Sequence, residues 1–174
     1  MADQPDGIVL ARHRDLEGRG WHPWVRRALV GVVALVALLA LFGFVGQSTS
    51  TTRSETPAAT LSVEAPDGVR GGLLYQARFT VLAHQELKHA TLVLNEKWID
   101  GLTVNTIEPS PVNEASRDGK LALELGHLAA GARHVLYVDY QVNPTTIGPR
   151  TLEAELNDGE QLVASLSRSL KIWP

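Results

Sequence analysis

Three evenly spaced serines are the first residues of this sequence whose chemistry could matter. Ser165, Ser167 and Ser169 recur at every second position, and this spacing places their hydroxyls on one face of a β-strand. Nucleophilic catalysis would need a base beside one of them. The chain has no Gly-x-Ser-x-Gly turn and no glycine-rich phosphate loop ending in lysine, the two arrangements that would position such chemistry. We therefore interpret the serines as a solvated strand face.

Histidines and carboxylates are the candidate metal ligands. The chain has six histidines and no cysteine, which excludes disulfides, cysteine-bound zinc, iron–sulfur clusters and thiol nucleophiles. No two histidines have His-x-His or His-x-x-x-His spacing, although His84 and His89 flank one predicted loop. The short run from Asn157 to Glu160 is better explained by a hairpin turn than by a calcium loop. We expect no metal site, no cofactor and no enzymatic activity.

Aromatic side chains are the candidates for a binding surface. Flat rings at Trp98, Tyr137 and Trp173 could stack on a sugar or on a partner protein. Trp98 is the weakest of these candidates, because immunoglobulin-type cores commonly bury a tryptophan. Tyr137 falls on the polar register of its predicted strand, opposite to Leu136 and Val138. Cross-strand packing remains the alternative role for Tyr137.

Small residues recur at every third position in the most apolar segment. Because small side chains let membrane helices approach closely, these positions are candidates for helix packing. A step of three residues drifts around a helix of 3.6 residues per turn, so a straight partner would touch only part of the series. A general bias toward alanine and glycine is the alternative explanation. The candidate positions are Gly31, Ala34, Ala37, Ala40 and Gly43.

The segment that carries them predicts a transmembrane helix over residues 28–46. These 19 residues contain no polar side chain, and as a helix they would span about 28 Å, close to the thickness of a bilayer core. Residues 1–27 are predicted to form a cytoplasmic leader that is mostly disordered. A cleaved secretory signal is the alternative, but the apolar run is longer than usual for one and the leader contains acidic residues.

Flanking charge predicts the orientation of this helix. Among the residues after it, as far as 61, only Arg53 is basic. The positive-inside rule then places the N-terminus in the cytoplasm and the C-terminal part outside a bacterial cytoplasmic membrane. The cations before the helix are Arg12, Arg14, Arg19, Arg26 and Arg27.

Residues 47–60 and 61–174 have different compositions. The first segment is polar and rich in Ser and Thr, which predicts a flexible tether. In the second, apolar residues alternate with polar ones, as in Leu136 to Val142, and turn-forming pairs such as Asp118-Gly119 separate the runs. Seven or eight short strands in such a length are typical of a single antiparallel β-sandwich. Arg168 interrupts the apolar face of the last strand, so we expect a bulge or a snorkelling side chain there.

Three stretches of this domain carry a family resemblance. They are GLLYQARFTVLA, the segment from Leu94 to Val104, and LELGHLAAGARHVLYVDYQVNP. Their order resembles the immunoglobulin-like modules of bacterial surface proteins, of the conserved-repeat and adhesion-module type, over residues 61–172. The resemblance implies an all-β immunoglobulin-like fold and transfers no catalytic or ligand residue.

These observations predict a non-enzymatic, single-pass membrane protein with an extracytoplasmic immunoglobulin-like domain. The expected partners are the lipid bilayer and an integral membrane protein, or a second copy bound through the helix. The alternative is an envelope-facing recognition module for a glycan or a soluble ligand. With 16 Lys and Arg against 19 Asp and Glu, the net charge is −3, so we expect no nucleic-acid binding.

Overall fold

The computed structural model describes residues 21–41 and 48–174. They belong to two compact units, an N-terminal helix and a β-domain. Helix α1 runs from His22 to Leu41, and none of its residues is buried. It begins six residues before the apolar run, because backbone hydrogen bonding starts at Trp21, whose carbonyl accepts from the Trp24 and Val25 amides. The last residues assigned to the leader are therefore helical. Residues 1–20 of the leader and the predicted helix end at Gly46 lie outside the described residues.

The β-domain contains eleven strands between Ser48 and Pro174. The first six are β1 Thr49–Glu55, β2 Ala59–Pro66, β3 Gly68–Arg70, β4 Leu74–Ala83, β5 Leu87–Leu94 and β6 Leu102–Glu108. The remaining five are β7 Asn113–Arg117, β8 Lys120–Leu128, β9 Arg133–Val142, β10 Gly148–Asp158 and β11 Gln161–Trp173. A 3₁₀ turn, Glu96–Trp98, follows β5.

These strands form the two sheets of an immunoglobulin-like sandwich. One sheet has the order β1-β2-β4-β9-β6 and the other the order β3-β11-β10-β5-β8-β7. All pairings are antiparallel except that of β3 with β11, which is parallel. The predicted fold class is confirmed. The strand count exceeds the predicted seven or eight because β1, β3 and β7 are too short or too polar to show an apolar period.

The predicted tether is wrong for most of its length. Thr49–Glu55 is strand β1, which pairs antiparallel with β2 from Thr49 opposite Pro66 to Glu55 opposite Thr60. The inward positions of β1 are Ser50, Thr52 and Ser54, which are only partly buried. A strand at the edge of a sheet is stabilised by its backbone pairing, so it does not need the apolar alternation of a central strand.

The core fills the space between the sheets with alternating side chains. On β9, Leu136, Val138, Tyr140 and Val142 are buried, as their alternation predicts. Aromatic rings form its centre: Trp98 lies 5.1 Å from Phe79 and 5.6 Å from Tyr140 between ring centroids. Edge-to-face and offset ring contacts add to the burial of area itself. The two sheets are thus joined by one continuous apolar core.

Arg168 stays in regular register instead of forming a bulge. It lies opposite Leu152, with continuous pairing on both sides, and the register shift occurs nearer the start of β11, beside Leu156 and Asn157. The predicted bulge at Arg168 is therefore wrong. The side chain points inward and is buried, reaching the backbone at the end of β2. Leu162, predicted to share the apolar face of β11, is exposed because this shift lies between it and Ala164.

Candidate functional site

Tyr137 lies on the outer surface of the five-stranded sheet. It is opposite Arg78 of β4 on one side and Glu108 of β6 on the other. Arg78 forms an ion pair with Glu64 of β2. An acid, a base, an aromatic ring and a second acid therefore follow one another across four strands. Tyr137 is 38% exposed, so its neighbours support the ring from the sides and leave part of it open to solvent.

A shallow groove of about 490 Å³ lies on the same sheet beside Tyr137. On its floor the Gln76 amide Nε2 donates to Asp139 Oδ1 at 2.9 Å. The register of β6 shifts between Val104 and Thr106, and such a shift turns a side chain out of the regular pleat. The lining residues are Leu74, Tyr75, Gln76, Asn105, Thr106 and Asp139.

We call Gln76, Arg78, Asn105, Tyr137 and Asp139 the Tyr137 face. Its members offer amide and guanidinium donors, a carboxylate acceptor and a flat ring on one exposed sheet surface. Tyr and Arg are enriched among the residues that carry binding energy in protein interfaces. The groove is open and shallow, so the arrangement suits contact with another surface better than enclosure of a small molecule.

Trp98, the second aromatic candidate, does not contribute to any surface. It is 0% exposed, and its indole Nε1 donates to the Glu153 carbonyl at 3.0 Å. The 3₁₀ turn after β5 directs the ring into the core against Phe79. Its role is to join the two sheets. This position agrees with the prediction that Trp98 packs in the core.

Trp173, the third candidate, is exposed but lies apart from Tyr137. It belongs to β11 in the six-stranded sheet, whereas Tyr137 belongs to the other sheet. Half of Trp173 is exposed, and the Lys171 ammonium lies 3.7 Å from the centre of its ring. The structure therefore does not bring the predicted surface aromatics into one platform.

The helix-packing candidates fall on α1 as far as the structure describes them. Gly31, Ala34, Ala37 and Ala40 are helical and exposed, and a Cβ added at Gly31 would meet nothing within 4 Å. Gly43 lies outside the described residues. Helix packing at these positions stays a prediction.

The serines and histidines do not assemble into a catalytic or metal centre in the described part of the chain. Ser165, Ser167 and Ser169 are exposed on the outer face of β11. His127 Nε2 lies 2.9 Å from Glu86 Oε1, and His84 Nε2 lies 2.8 Å from the Thr60 hydroxyl. Within residues 21–41 and 48–174, no three His, Asp or Glu side chains are grouped so as to hold a metal ion.

A buried arginine network is the feature that sequence reasoning missed. Arg168 Nη2 donates to the carbonyls of Ala65 at 2.7 Å and Pro66 at 3.1 Å, and to Asp67 Oδ1 at 3.3 Å. Asp67 also accepts from the Ser50 hydroxyl of β1. The signal in the sequence was an arginine at a position of the last strand where the alternation predicts an apolar residue. Its partners could not be found from sequence, because they lie about a hundred positions away.

Burial around this network shifts the pKa values of its polar side chains. Desolvation lowers the pKa of Arg168, and the nearby Asp67 carboxylate opposes that shift. Desolvation raises the pKa of Tyr75 and Tyr140 above the usual value for tyrosine. In the described part of the chain, the hydroxyls of these two tyrosines and the Arg168 Nε have no hydrogen-bond partner. The Arg168 guanidinium is therefore structural polarity inside the sandwich, and the half-exposed Asp67 carboxylate is its contact at the surface.

Fold and surface together define an immunoglobulin-like β-sandwich with an exposed polar and aromatic face, together with a separate apolar helix. No protein-family model and no curated protein matches the chain. Similar solved structures include the CARDB domain of a Pyrococcus furiosus protein in complex with di-metal ions, at 14% identity and TM-score 0.42, covering 71% of this chain and 95% of that chain. The human F-spondin reeler domain is similar at 14% identity and TM-score 0.44, over 70% of this chain and 92% of that one. CaCohA2 from Clostridium acetobutylicum is similar at 10% identity and TM-score 0.45, over 68% and 92%.

Proposed function

We propose that this chain is a non-enzymatic, single-pass membrane protein that presents one immunoglobulin-like domain on the outer face of a bacterial cytoplasmic membrane. The observation that carries the proposal is α1. It is 20 residues long, an 18-residue stretch of it has a mean hydropathy of 2.0, and none of it is buried. From Ala28 onward the helix is apolar on all sides. Such a surface needs an apolar solvent, which the core of a bilayer, about 30 Å thick, provides.

The orientation rests on the cations at one end of the helix. Arg26 and Arg27 lie in its first turns, and the sequence before it contributes more arginine. The last turn of α1 contains no basic residue. The positive-inside rule therefore favours a cytoplasmic N-terminus and an external β-domain.

The Tyr137 face is the surface that we assign to partner recognition. Of its two charged members, Arg78 is paired with Glu64 and Asp139 accepts from the Gln76 amide, so the surface is polar without being a strong charge patch. Tyr137 stands in the middle of that surface as the exposed ring. We infer a protein partner in the same membrane or envelope, because a shallow face with a central tyrosine resembles an interface more than a ligand cavity.

Anchoring and orientation are tested together on the full chain in bacterial membranes. The chain has no cysteine, so a single cysteine in place of Thr56 can be labelled with a membrane-impermeant maleimide on intact spheroplasts. We expect labelling without lysis, retention of the protein in the membrane after alkaline carbonate extraction, and the mass of the uncleaved chain. Labelling only after lysis would overturn the orientation. Release as a shortened chain would establish a cleaved signal instead of an anchor.

Partner recognition is tested by affinity purification of the tagged full chain from gently solubilised membranes. The test variant is Tyr137→Ser, and the matched control is Leu162→Ser, which removes another exposed side chain away from the Tyr137 face. We expect a stoichiometric protein that is lost with Tyr137→Ser and retained with Leu162→Ser. Equal recovery in both variants would overturn the role of this face. Glycan or soluble-ligand binding by the β-domain, without a protein partner, would support the alternative recognition module.

A further inference from the structure

Four of the seven large apolar side chains that are exposed in the β-domain lie at one end of the sandwich. They are Leu73, Leu74, Ile147 and Trp173, with exposed fractions from 46% to 63%. This is the end where β1 begins, since Thr49 pairs with Pro66 and the adjoining Gly68 pairs with Lys171 near the end of β11. The other three exposed apolar side chains are Tyr137 on β9, Val112 beside β7, and Leu162 at the opposite end, near the turn between β10 and β11.

Hydrogen bonds and close packing hold these side chains on adjacent loops. The Gly71 amide donates to the Trp173 carbonyl at 2.9 Å, and the Gly72 amide donates to the Val142 carbonyl at 3.0 Å. A Cβ at Gly71 would lie 3.1 Å from the Pro144 carbonyl, so the loop at 143–147 packs directly on the glycine pair. We call the segments 67–74, 143–147 and 171–174 the β1 end of the domain.

Positive charge accompanies the apolar side chains at the β1 end. Arg70 and Lys171 are both exposed there. Arg70 donates from Nε to the Pro174 backbone oxygen at 2.8 Å, and Lys171 lies over the Trp173 ring. The nearby carboxylate of Asp67 is already engaged by Arg168. Leucine, isoleucine and tryptophan beside Arg and Lys form the composition that binds the interfacial region of anionic membranes.

We propose that the β1 end of this domain rests on the lipid surface, with Leu74, Ile147 and Trp173 in the interfacial region and Arg70 and Lys171 against anionic headgroups. This inference rests on the proposed membrane anchoring. Only seven residues, 42–48, separate Leu41 from Thr49, and an extended chain of that length spans about 25 Å at most. The chain enters the domain at the β1 end, so this short connection attaches the β1 end, rather than the opposite end, to the anchor. A resting domain would leave the Tyr137 face, which lies along the side of the sandwich, open to a partner.

The test uses the full chain in nanodiscs, with one cysteine introduced at a time. Ile147→Cys places a polarity-sensitive NBD label at the β1 end, and Leu162→Cys places the same label at the opposite end as the matched control. Both native side chains are more than half exposed, so neither substitution disturbs the core. Each labelled protein is measured in nanodiscs containing anionic phosphatidylglycerol with and without doxyl-labelled lipid, which quenches only a fluorophore that contacts the bilayer.

We expect a blue-shifted emission at position 147, with several-fold stronger quenching by doxyl lipid than at position 162. Replacing both Arg70 and Lys171 with Gln should weaken that quenching. Equal quenching at the two positions would overturn the proposal, and so would a blue shift at 147 without quenching, which indicates protein contact. Co-elution of the chain with the nanodisc tests the membrane anchoring independently of the fluorescence measurement. Co-elution with no quenching contradicts only this inference, whereas loss of co-elution contradicts the proposed function itself.

Discussion

At the scale of single residues, Arg168 occupies an inward position of β11 at which the alternation predicts an apolar side chain. Its guanidinium supplies the donors for two backbone carbonyls at the end of β2, where the strand turns toward β3. Buried carbonyls without donors are costly, so the arginine completes hydrogen bonding that the sheet cannot. The whole side chain, including the guanidinium, is buried, so the snorkelling that the sequence analysis offered beside a bulge is also wrong, since a snorkelling arginine keeps its charged group in water.

Removing this guanidinium should destabilise the β-domain. For Arg168→Met we expect a loss of about 1–3 kcal/mol in the free energy of unfolding, because the Ala65 and Pro66 carbonyls lose their donors. The measurement is urea unfolding of the full chain in detergent, followed by near-ultraviolet circular dichroism. Arg53→Met is the matched control. It removes an exposed ion pair with Glu55 and should change stability by less than about 1 kcal/mol. Equal effects of the two substitutions would show that the network contributes no stability.

His134 makes the stability of the domain depend on pH. Desolvation lowers the pKa of His134 in the folded state, so the unfolded chain binds a proton more readily. As the pH falls through the ordinary histidine pKa of about 6.5, the unfolded state is charged first and stability decreases. The stability that neutral His134 contributes is fully present above a pH of about 6.5. It is lost as the pH falls toward the pKa that His134 has in the folded state.

The comparison that isolates this effect is unfolding at about pH 7.5 and about pH 5.5, on either side of an ordinary histidine pKa. His134→Gln should lose less stability between these conditions than the unmodified chain. Gln141→Asn, which alters an exposed side chain without a titratable group in the same strand, should retain the full pH dependence. The same loss in the His134 variant as in the unmodified chain would assign the dependence to other groups.

Sequence could identify individual inward residues but not their distant partners. Alternation correctly marked Leu136, Val138 and Tyr140 as core residues. It also marked Tyr137 as outward and Arg168 as anomalous. The pairing of Arg168 with Asp67, and of Tyr137 with Arg78 and Glu108, depends on strand order, and no local pattern encodes strand order.

At the scale of elements, β1 shows where composition misleads. Its inward and outward positions are both polar, with Ser and Thr predominating, so its amphipathic period is absent. Backbone pairing with β2 over its whole length and the Ser50–Asp67–Arg168 network hold it in place. A Ser/Thr-rich segment therefore behaves as a strand because its partner strand is already ordered by the core.

Hydrogen exchange distinguishes a strand from a tether without any mutation. We expect alternate amides of a peptide covering Thr49–Glu55 to be protected, because an edge strand bonds only those amides within the sheet, and we expect fuller protection of β2, which is paired on both sides. The measurement is exchange mass spectrometry of the full chain in detergent or nanodiscs. A tether would exchange completely within seconds, and that result would contradict the folded β1.

At the scale of the whole molecule, the small residues of α1 remain a prediction about assembly. If the helix contacts another membrane helix through them, replacing Ala34, Ala37 and Ala40 together with Leu should weaken that association, because the larger side chains separate the backbones. The measurement is recovery of the partner, or of a differently tagged second copy, after gentle solubilisation. Val32, Val36 and Leu39 replaced together with Phe provide a control of similar bulk elsewhere on the helix. Unchanged recovery in the alanine variant would remove the helix as the contact.

Fold class was predictable for this molecule, and its surfaces were only partly so. The period-two alternation and the turn at Asp118-Gly119, where both residues have positive φ, are local signals that a sandwich requires. The clustering of Leu73, Ile147 and Trp173 at one end arises from two loops and the end of β11. These residues are close together because of the order of the strands. Since the sequence pattern does not give that order, the choice of aromatic candidates from the sequence did not predict the cluster.

The Arg168 network also has a consequence for how the chain is made. Arg168 reaches β2 across 103 positions and β1 across 118, yet synthesis proceeds from the N-terminus. The strands β1 and β2 are therefore translated well before Arg168, the residue that donates to the β2 carbonyls. Contacts so distant in sequence form slowly, and unpaired strand edges attract other chains in the meantime. During synthesis the domain is therefore prone to association with other chains until its last strand has been translated.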